Sequence, residues 1–317
     1  MAVSGQLQPL AETLIGLSAP PAHPALAFLV ESLLIRHGKC VAGVLFYGSC
    51  LRNGDPFDGL VDLYLLVDDY RCANRGLLSA FWNRALPPNV FYAEFPCEGK
   101  TLRCKYAMLS RSDLQKGTSR RWFHSYLWGR FSQPTAIARA RDEALRGEIA
   151  GCLAQAVVTF LERTLPCAAP SGDIETLWTA ALGLSYRAEM RPESADRAGE
   201  LAHANRDWYL RVTRAAAPVL AHPPEFDPDG NYRLQVPAGQ RRLCRIGWKL
   251  RTAQGKLLSV ARLLKALFTF EGGLDYAAWK LERHSDQRIE VPERVRRYPL
   301  IFIWGMLWKL YRRGIFR

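Results

Sequence analysis

The sequence predicts an α+β fold, with a sheet formed early in the chain and helices after it. Three observations carry that expectation. Two apolar runs, 41–47 and 60–67, flank a polar loop containing Gly and Pro. Two further runs, 90–95 and 102–109, alternate apolar and polar residues about a turn at Gly99, as a hairpin does. From Asp113 onward the apolar spacing becomes helical almost to the end.

Residues 1–24 read as an N-terminal helix or tail, then a linker ending in Pro20, Pro21 and Pro24. Residues 25–37 have helical spacing and should pack on the sheet. In the run 60–67, Val61, Leu63, Leu65 and Val67 share one face, and Asp62, Tyr64 and Leu66 share the other. The second face should line a cleft. Residues 75–86 form a helix stopped by Pro87 and Pro88. On the hairpin, Glu94 and Lys105 could pair across strands on a solvated face.

Further helices are expected over 135–165, 173–190 (capped by Asp173) and 200–217. Residues 122–131, WFHSYLWGRF, are either the end of a core helix or a wall of the cleft. Segment 221–239 is a linker or a hairpin wing, with Asp229-Gly230 as the hairpin signal. Beyond Gly239, basic residues from Arg241 to Lys265 stud a helix, and its other face carries Leu257, Leu258, Val260, Leu263, Leu264, Leu267 and Phe268. Another helix follows Gly272-Gly273 up to His284. The segment 294–317 brackets Tyr298, Trp304, Trp308 and Tyr311 with arginines, the pattern of a helix lying in a membrane interface. A helix docked on the core would read the same way. His124 and His284 read as structural.

A net charge of +13 and a pI near 9.6 point to an anionic partner: nucleic acid, nucleotide or acidic lipid. The eight cysteines show no C-x-x-C and no zinc spacing, so they read as small buried hydrophobes in a reducing compartment. The first residues lack the pattern of a secretory signal, and no apolar run reaches the length of a membrane span.

The chemistry concentrates at 44–69, VLFYGSCLRNGDPFDGLVDLYLLVDD. Gly48 has no Cβ, so its backbone can come close to a triphosphate. Ser49 adds a hydroxyl, and the following N–H groups can face an anion. Asp62 can hold Mg²⁺ beside the phosphates. A plain hairpin with a satisfied aspartate remains an alternative on these residues alone. Strand, Gly-Ser turn and strand with an inward acid resemble the core of nucleotidyltransferases of the DNA polymerase β type. That pattern carries a second acid two residues on, where this chain has Tyr64.

Three more stretches extend the resemblance: 105–114 with 122–134, then LWTAALGLSYRAEMRPE at 177–193, then RLLKALFTFEGGLDYAAWKLER at 262–283. In this order the four resemble the mitochondrial-type phosphatidate cytidylyltransferases, the translocator assembly and maintenance family. Two departures stand out. Gly48-Ser49-Cys50 replaces Gly-Ser-Gly, and Ala188-Glu189-Met190-Arg191 replaces Gly-Asp-x-Arg.

The resemblance implies a polymerase β-like nucleotidyltransferase sheet domain over 1–134 and a helical, winged-helix-like domain over 135–238. It implies a basic amphipathic, membrane-contacting region over 239–317. The implied reaction joins CTP and phosphatidate into CDP-diacylglycerol and pyrophosphate with Mg²⁺, on the cytoplasmic side of an anionic membrane. Nucleic acid is not an expected partner on this reading. Gly48 and Ser49 would grip the triphosphate, and Lys105 and Arg130 would touch phosphates. Asp62 would hold the metal, with Glu94 replacing the acid lost at Tyr64. Ser185, Tyr186, Glu189 and Arg191 would close the nucleotide pocket. Two other classes fit the same residues: a soluble nucleotidyltransferase acting on RNA, protein or a small molecule, and an inert membrane scaffold.

Overall fold

The two apolar runs and the alternating hairpin of the first half produce the strands. In the computed structural model, which describes residues 5–73, 77–189, 194–269, 289, 291–297, 305 and 308, five strands form one mixed sheet. They are β1 (Val41–Tyr47), β2 (Val61–Val67), β3 (Asn89–Cys97), β4 (Lys100–Ser110) and β5 (Thr135–Ala140), in the spatial order β3-β4-β2-β1-β5. β2 and β4 run parallel, and the other neighbours are antiparallel. The protein is thus α+β, as read from the sequence.

The two faces of β2 separate as their alternation requires. Val61, Leu63, Leu65 and Val67 pack with Leu26, Leu29 and Leu33 of α2 (Pro24–His37). Tyr64 and Leu66 face a larger core built on α8 (Glu143–Thr164), which also takes Leu10 and Leu14 of α1 (Gln8–Leu17). Between β1 and β2 the loop opens with a short helix, α3 (Ser49–Asn53), and α4 (Tyr70–Ala73) and α5 (Leu77–Ala85) precede β3.

Several expectations are corrected. Residues 135–140, read as the start of a long helix, form β5 on the free edge of β1, so the sheet runs past residue 134. The segment alternates, but its alanines and arginine leave only Thr135 and Ile137 as β-branched residues to mark it. Within 122–131 only α7 (Trp128–Phe131) is helical, after α6 (Arg111–Thr118). Glu94 faces Arg103 across the hairpin, while Lys105 stands opposite Tyr92. Four cysteines are paired, Cys40 with Cys72 and Cys167 with Cys244, at Cα separations of 5.7 and 6.1 Å suited to a disulfide. Helix 143–167 is apolar and long enough to cross a membrane, yet 67% of its most apolar window is buried, as in a core helix.

The helical layer is joined by aromatic contacts. Trp128 meets Phe160 of α8 and Trp248, Phe160 stacks on Trp178 at 5.1 Å, and Trp178 stacks on Tyr209 at 4.1 Å. Trp178 belongs to α9 (Ile174–Ala188), whose first turn is capped by Asp173 accepting the Thr176 N–H at 2.7 Å. α10 (Ser194–Ala204) and α11 (Arg206–Ala216) follow. A small sheet joins β6 (Ser171–Gly172), β7 (Glu225–Phe226) and β8 (Tyr232–Arg233), and its β7–β8 hairpin turns where Asp229-Gly230 predicts.

The longest helix among the described residues, α12 (Ala238–Thr269), docks on the core with part of its basic face. Trp248, Arg251 and Lys265 are buried, while Leu243, Leu250 and Leu257 are 58–71% exposed. Arg251 donates to the Phe123 carbonyl at 3.0 Å and lies over the Phe123 ring. Lys265 donates to the Pro88 carbonyl at 2.8 Å, and burial, followed by Arg262, lowers its pKa to about 8. A short helix spans Glu293–Arg297. The expected helix up to His284 lies outside the described residues, as does most of the aromatic segment after Arg297.

Gly255 seats α12 on the end of α9. A Cβ there would stand 2.1 Å from the Ala188 carbonyl oxygen, a backbone atom that cannot rotate away. Alanine at a helical glycine gains about 1 kcal/mol of propensity. Forcing two backbones apart costs about 1–3 kcal/mol and should win. Gly255→Ala should therefore lower the urea midpoint, and a raised midpoint would show that α12 is not held there.

Candidate functional site

β1 ends at Tyr47, and the next residue turns the chain. Gly48 has φ 93°, a conformation that favours glycine. A Cβ at Gly48 would also meet Asp62 Oδ2 at 2.8 Å. Conformation and space therefore both select glycine, and the carboxylate lies against its backbone. Ser49 opens α3 immediately after.

Strand register sets the next contacts. Tyr47 stands opposite Asp62 on β2, and Asp62 opposite Lys105 on β4. Lys105 Nζ lies 3.0 Å from Asp62 Oδ1, an ion pair, although Oδ1 has no contact of hydrogen-bond geometry. The side chains are 31% and 19% exposed, so the pair opens to solvent. Tyr47 is partly buried, and that burial together with the Asp62 charge pushes its hydroxyl up to about 12. It stays protonated at neutral pH.

The helical layer supplies the facing wall. Arg130 of α7 packs 5.4 Å from the ring centres of both Tyr47 and Tyr126. Its Nη2 lies 3.6 Å from Glu189 Oε2 at the end of α9. Burial disfavours its charge, but Tyr64, Tyr47, Tyr126 and Glu189 together hold its pKa well above the ordinary value. Tyr64, the residue in place of a second acid, is buried between Tyr47 and Phe131 with ring separations of 5.4 and 5.0 Å. Gly129 allows α7 and α9 to touch, since a Cβ there would meet Ser185 Oγ at 2.4 Å. That Ser185 hydroxyl is buried and has no hydrogen-bond partner among the described residues.

α12 closes a third side. Ser259 donates to the Glu189 carbonyl at 3.3 Å, and the Arg262 guanidinium lies 4.1 Å from the Tyr126 ring centre. Burial lowers the Arg262 pKa. His124, also buried, accepts the Tyr126 N–H at 3.1 Å through Nδ1. Burial, then Arg262, lowers its pKa to about 4, with Glu189 opposing.

Gly48, Ser49, Asp62, Lys105, Arg130, Ser185 and Glu189 therefore gather at one end of the sheet. Tyr186 stands behind them, because its ring is buried and its hydroxyl donates to Gln133 at 2.9 Å. Glu94 is not brought to Asp62. It lies two strands away and is engaged by Arg103 at 3.2 Å and by the Tyr92 hydroxyl. Arg191 lies outside the described residues. Among the described residues no three His, Cys, Asp or Glu side chains form a metal-binding group.

Sequence reasoning missed Tyr47, Tyr126 and Arg262. The signal for Arg262 was the spacing of Gly247, Arg251 and Gly255, which marks the inward face of α12 and extends to position 262. A separate cleft of about 450 Å³ lies between α3 and the α10–α11 junction, lined by Arg52, Pro134, His203, Arg206 and Trp208. It shares none of the gathered side chains.

His124 makes the site sensitive to acid. The unfolded chain binds its proton near pH 6.5 and the folded chain only near pH 4, so stability falls as pH drops through that interval. The loss reaches about 3 kcal/mol at most. His124→Asn keeps an acceptor for the Tyr126 N–H and should flatten the Tm profile between pH 6.5 and 4; an unchanged slope would place the titration elsewhere. No protein-family model matches the chain, and no curated protein matches it.

Proposed function

We propose that the chain is a nucleotidyltransferase that transfers CMP from CTP to phosphatidate, releasing pyrophosphate and CDP-diacylglycerol at a membrane surface. The supporting observation is the Asp62 carboxylate, held against the Gly48 backbone and 3.0 Å from Lys105, with Arg130 on the opposite wall. Bare backbone, an acid and flanking cations are what a bound triphosphate requires.

Asp62 suits a magnesium ion that arrives with the nucleotide. Its Oδ1 lacks a hydrogen bond, and one carboxylate plus substrate phosphates is a sufficient set for that ion. The ion would supply charge neutralisation at the phosphates. The residues do the rest. Gly48 lets the triphosphate approach the backbone, Ser49 adds a hydroxyl, and Lys105 and Arg130 hold phosphate oxygens. Ser185 and Glu189 border the pocket from α9.

An oxygen of the acceptor phosphate attacks the α-phosphorus of CTP. The bond from that phosphorus to the bridging oxygen breaks, and its electron pair leaves on pyrophosphate. The attacking oxygen is already ionised, so no general base is needed, consistent with a Tyr47 hydroxyl that keeps its proton. Positioning and charge carry the rate.

The outer face of α12 fits the membrane part of the reading. Leu243, Ile246, Leu250, Leu257 and Val260 are exposed, Arg242, Arg245, Lys249 and Lys256 flank them, and the helix contains no acid. An apolar stripe edged with cations suits the cytoplasmic, inner face of an anionic bilayer. A soluble transferase acting on RNA, protein or a small molecule is the second reading, and the charge of +13 favours it. It leaves the leucine stripe without a use.

Radiolabelled CTP incubated with phosphatidate vesicles separates these readings. Lipid-linked label is expected; label on another acceptor would favour the second reading, and no label on any acceptor would leave an inert scaffold. Asp62→Asn should reduce turnover by about a hundredfold or more with the Tm nearly unchanged, and near-normal turnover would remove Asp62 from the chemistry. Leu250→Asp with Leu257→Asp should release the chain from anionic vesicles while CTP binding persists. Retained vesicle binding would refute docking through α12.

A further inference from the structure

The charges lining the pocket do not balance. Asp62 is paired with Lys105 and Glu189 with Arg130. Arg262 is left over. It has no ion pair or hydrogen bond to a described residue, and its Nε is buried without a partner. It lies over the face of the Tyr126 ring, which Arg130 also approaches, and the Glu189 charge acts on it without pairing. The side chain is only partly buried, but a guanidinium donor held away from water without a partner is costly, and the usual remedy is an anion. His124 cannot supply one, because an imidazole is neutral or cationic.

We propose that Arg262 and Arg130, placed about Tyr126, form a subsite for a phosphomonoester dianion, the phosphate that accepts the nucleotidyl group. Two planar forks of donors suit such a group, which presents three unesterified oxygens. A phosphodiester presents two and meets fewer of these donors. Glu189 offsets the charge of Arg130, so the acceptor role rests on the transferase reading, whereas the phosphomonoester preference stands on the match of oxygens to donors.

The position of Arg262 on α12 gives the subsite a direction. Arg262 faces the pocket, while Val260 and Leu257, on the same stretch of helix, face outward and are 44% and 71% exposed. One helix thus separates a phosphate-binding interior from an apolar exterior by its own width, about 10 Å. A lipid headgroup could occupy the inside while its hydrocarbon lay along the outer stripe. A soluble phosphomonoester would use the inside only.

The test uses the full chain with three probes: dioleoyl phosphatidate vesicles, phosphatidylglycerol vesicles of equal anionic content, and sn-glycerol 3-phosphate. The wild type should bind phosphatidate vesicles at least about tenfold more tightly than phosphatidylglycerol vesicles. Arg262→Gln should abolish that preference and Arg262→Lys restore part of it. Protection by sn-glycerol 3-phosphate as strong as by phosphatidate would assign the subsite to a soluble phosphomonoester; protection by vesicles alone would assign it to a headgroup. Without ligand, Arg262→Gln should raise the Tm by about 2 °C or more, because it removes a charged group whose Nε is buried without a partner. A lower Tm would mark Arg262 as structural and overturn the proposal, as would an equal affinity of the wild type for the two vesicles. Phosphomonoester preference without label transfer from CTP would sink the transferase reading and spare the subsite. Label transfer without the preference would do the reverse.

Discussion

The rest of the site depends on one row of residues fixed by strand pairing: Tyr47, Asp62 and Lys105, opposite one another on β1, β2 and β4. Neighbouring strands lie about 4.8 Å apart, so the acid cannot drift from its lysine or from the turn at Gly48 without breaking the ladder. The ion pair is too open to explain its own presence. Partly exposed pairs contribute about 0–1 kcal/mol, and a strand position filled by an aliphatic residue would pack at least as well. An acid retained on an interior strand with so little structural return is better explained by a ligand. Gly48 strengthens the point, since any side chain there would cover the carboxylate.

The sheet was legible because its signals are local: β1 and β2 are apolar runs and the β3–β4 hairpin alternates. The two faces of β2 could be separated before any packing was known, but the face of Asp62, expected to line a cleft, is buried in the core at Tyr64 and Leu66. β5 was not legible. Its six residues are half alanine, and it becomes a strand by adding to the edge of β1, which no window of sequence contains. The cysteine pairs escaped for a related reason. Cys167 and Cys244 are 77 residues apart and meet only because α12 returns to the end of α8.

The site was legible where it lies on the first strands and partly hidden where helices complete it. Gly48, Ser49 and Asp62 are adjacent in chemistry as well as in space. Arg130 and Glu189 were expected in the pocket, and the structure joins them at 3.6 Å, but it excludes Glu94 because hairpin register matches that acid to Arg103. Register is set by the turn, and two acids that look equivalent in sequence are separated by it. Tyr64 fills with aromatic packing the place where a second acid was sought, so the site holds one carboxylate by construction.

α12 shows why the inward face of an amphipathic helix cannot be taken from hydrophobicity alone. It has two apolar arcs, and the one that docks carries glycines, Trp248 and three cations. Burial of a cation is not by itself a sign of function here. Arg251 is satisfied by a carbonyl and the Phe123 ring, and Lys265 by the carbonyls around cis Pro87-Pro88. Those two fasten the helix to the sheet and to the 119–127 loop. Arg262, on the same face, has a ring beneath it and no oxygen in reach among the described residues. The contrast is informative because the three lie on one side of one helix, Arg251 and Lys265 buried and Arg262 partly so. The fold supplies acceptors to the two that hold α12 in place and leaves the third turned toward the carboxylates and guanidinium of the pocket, where an incoming anion can complete it.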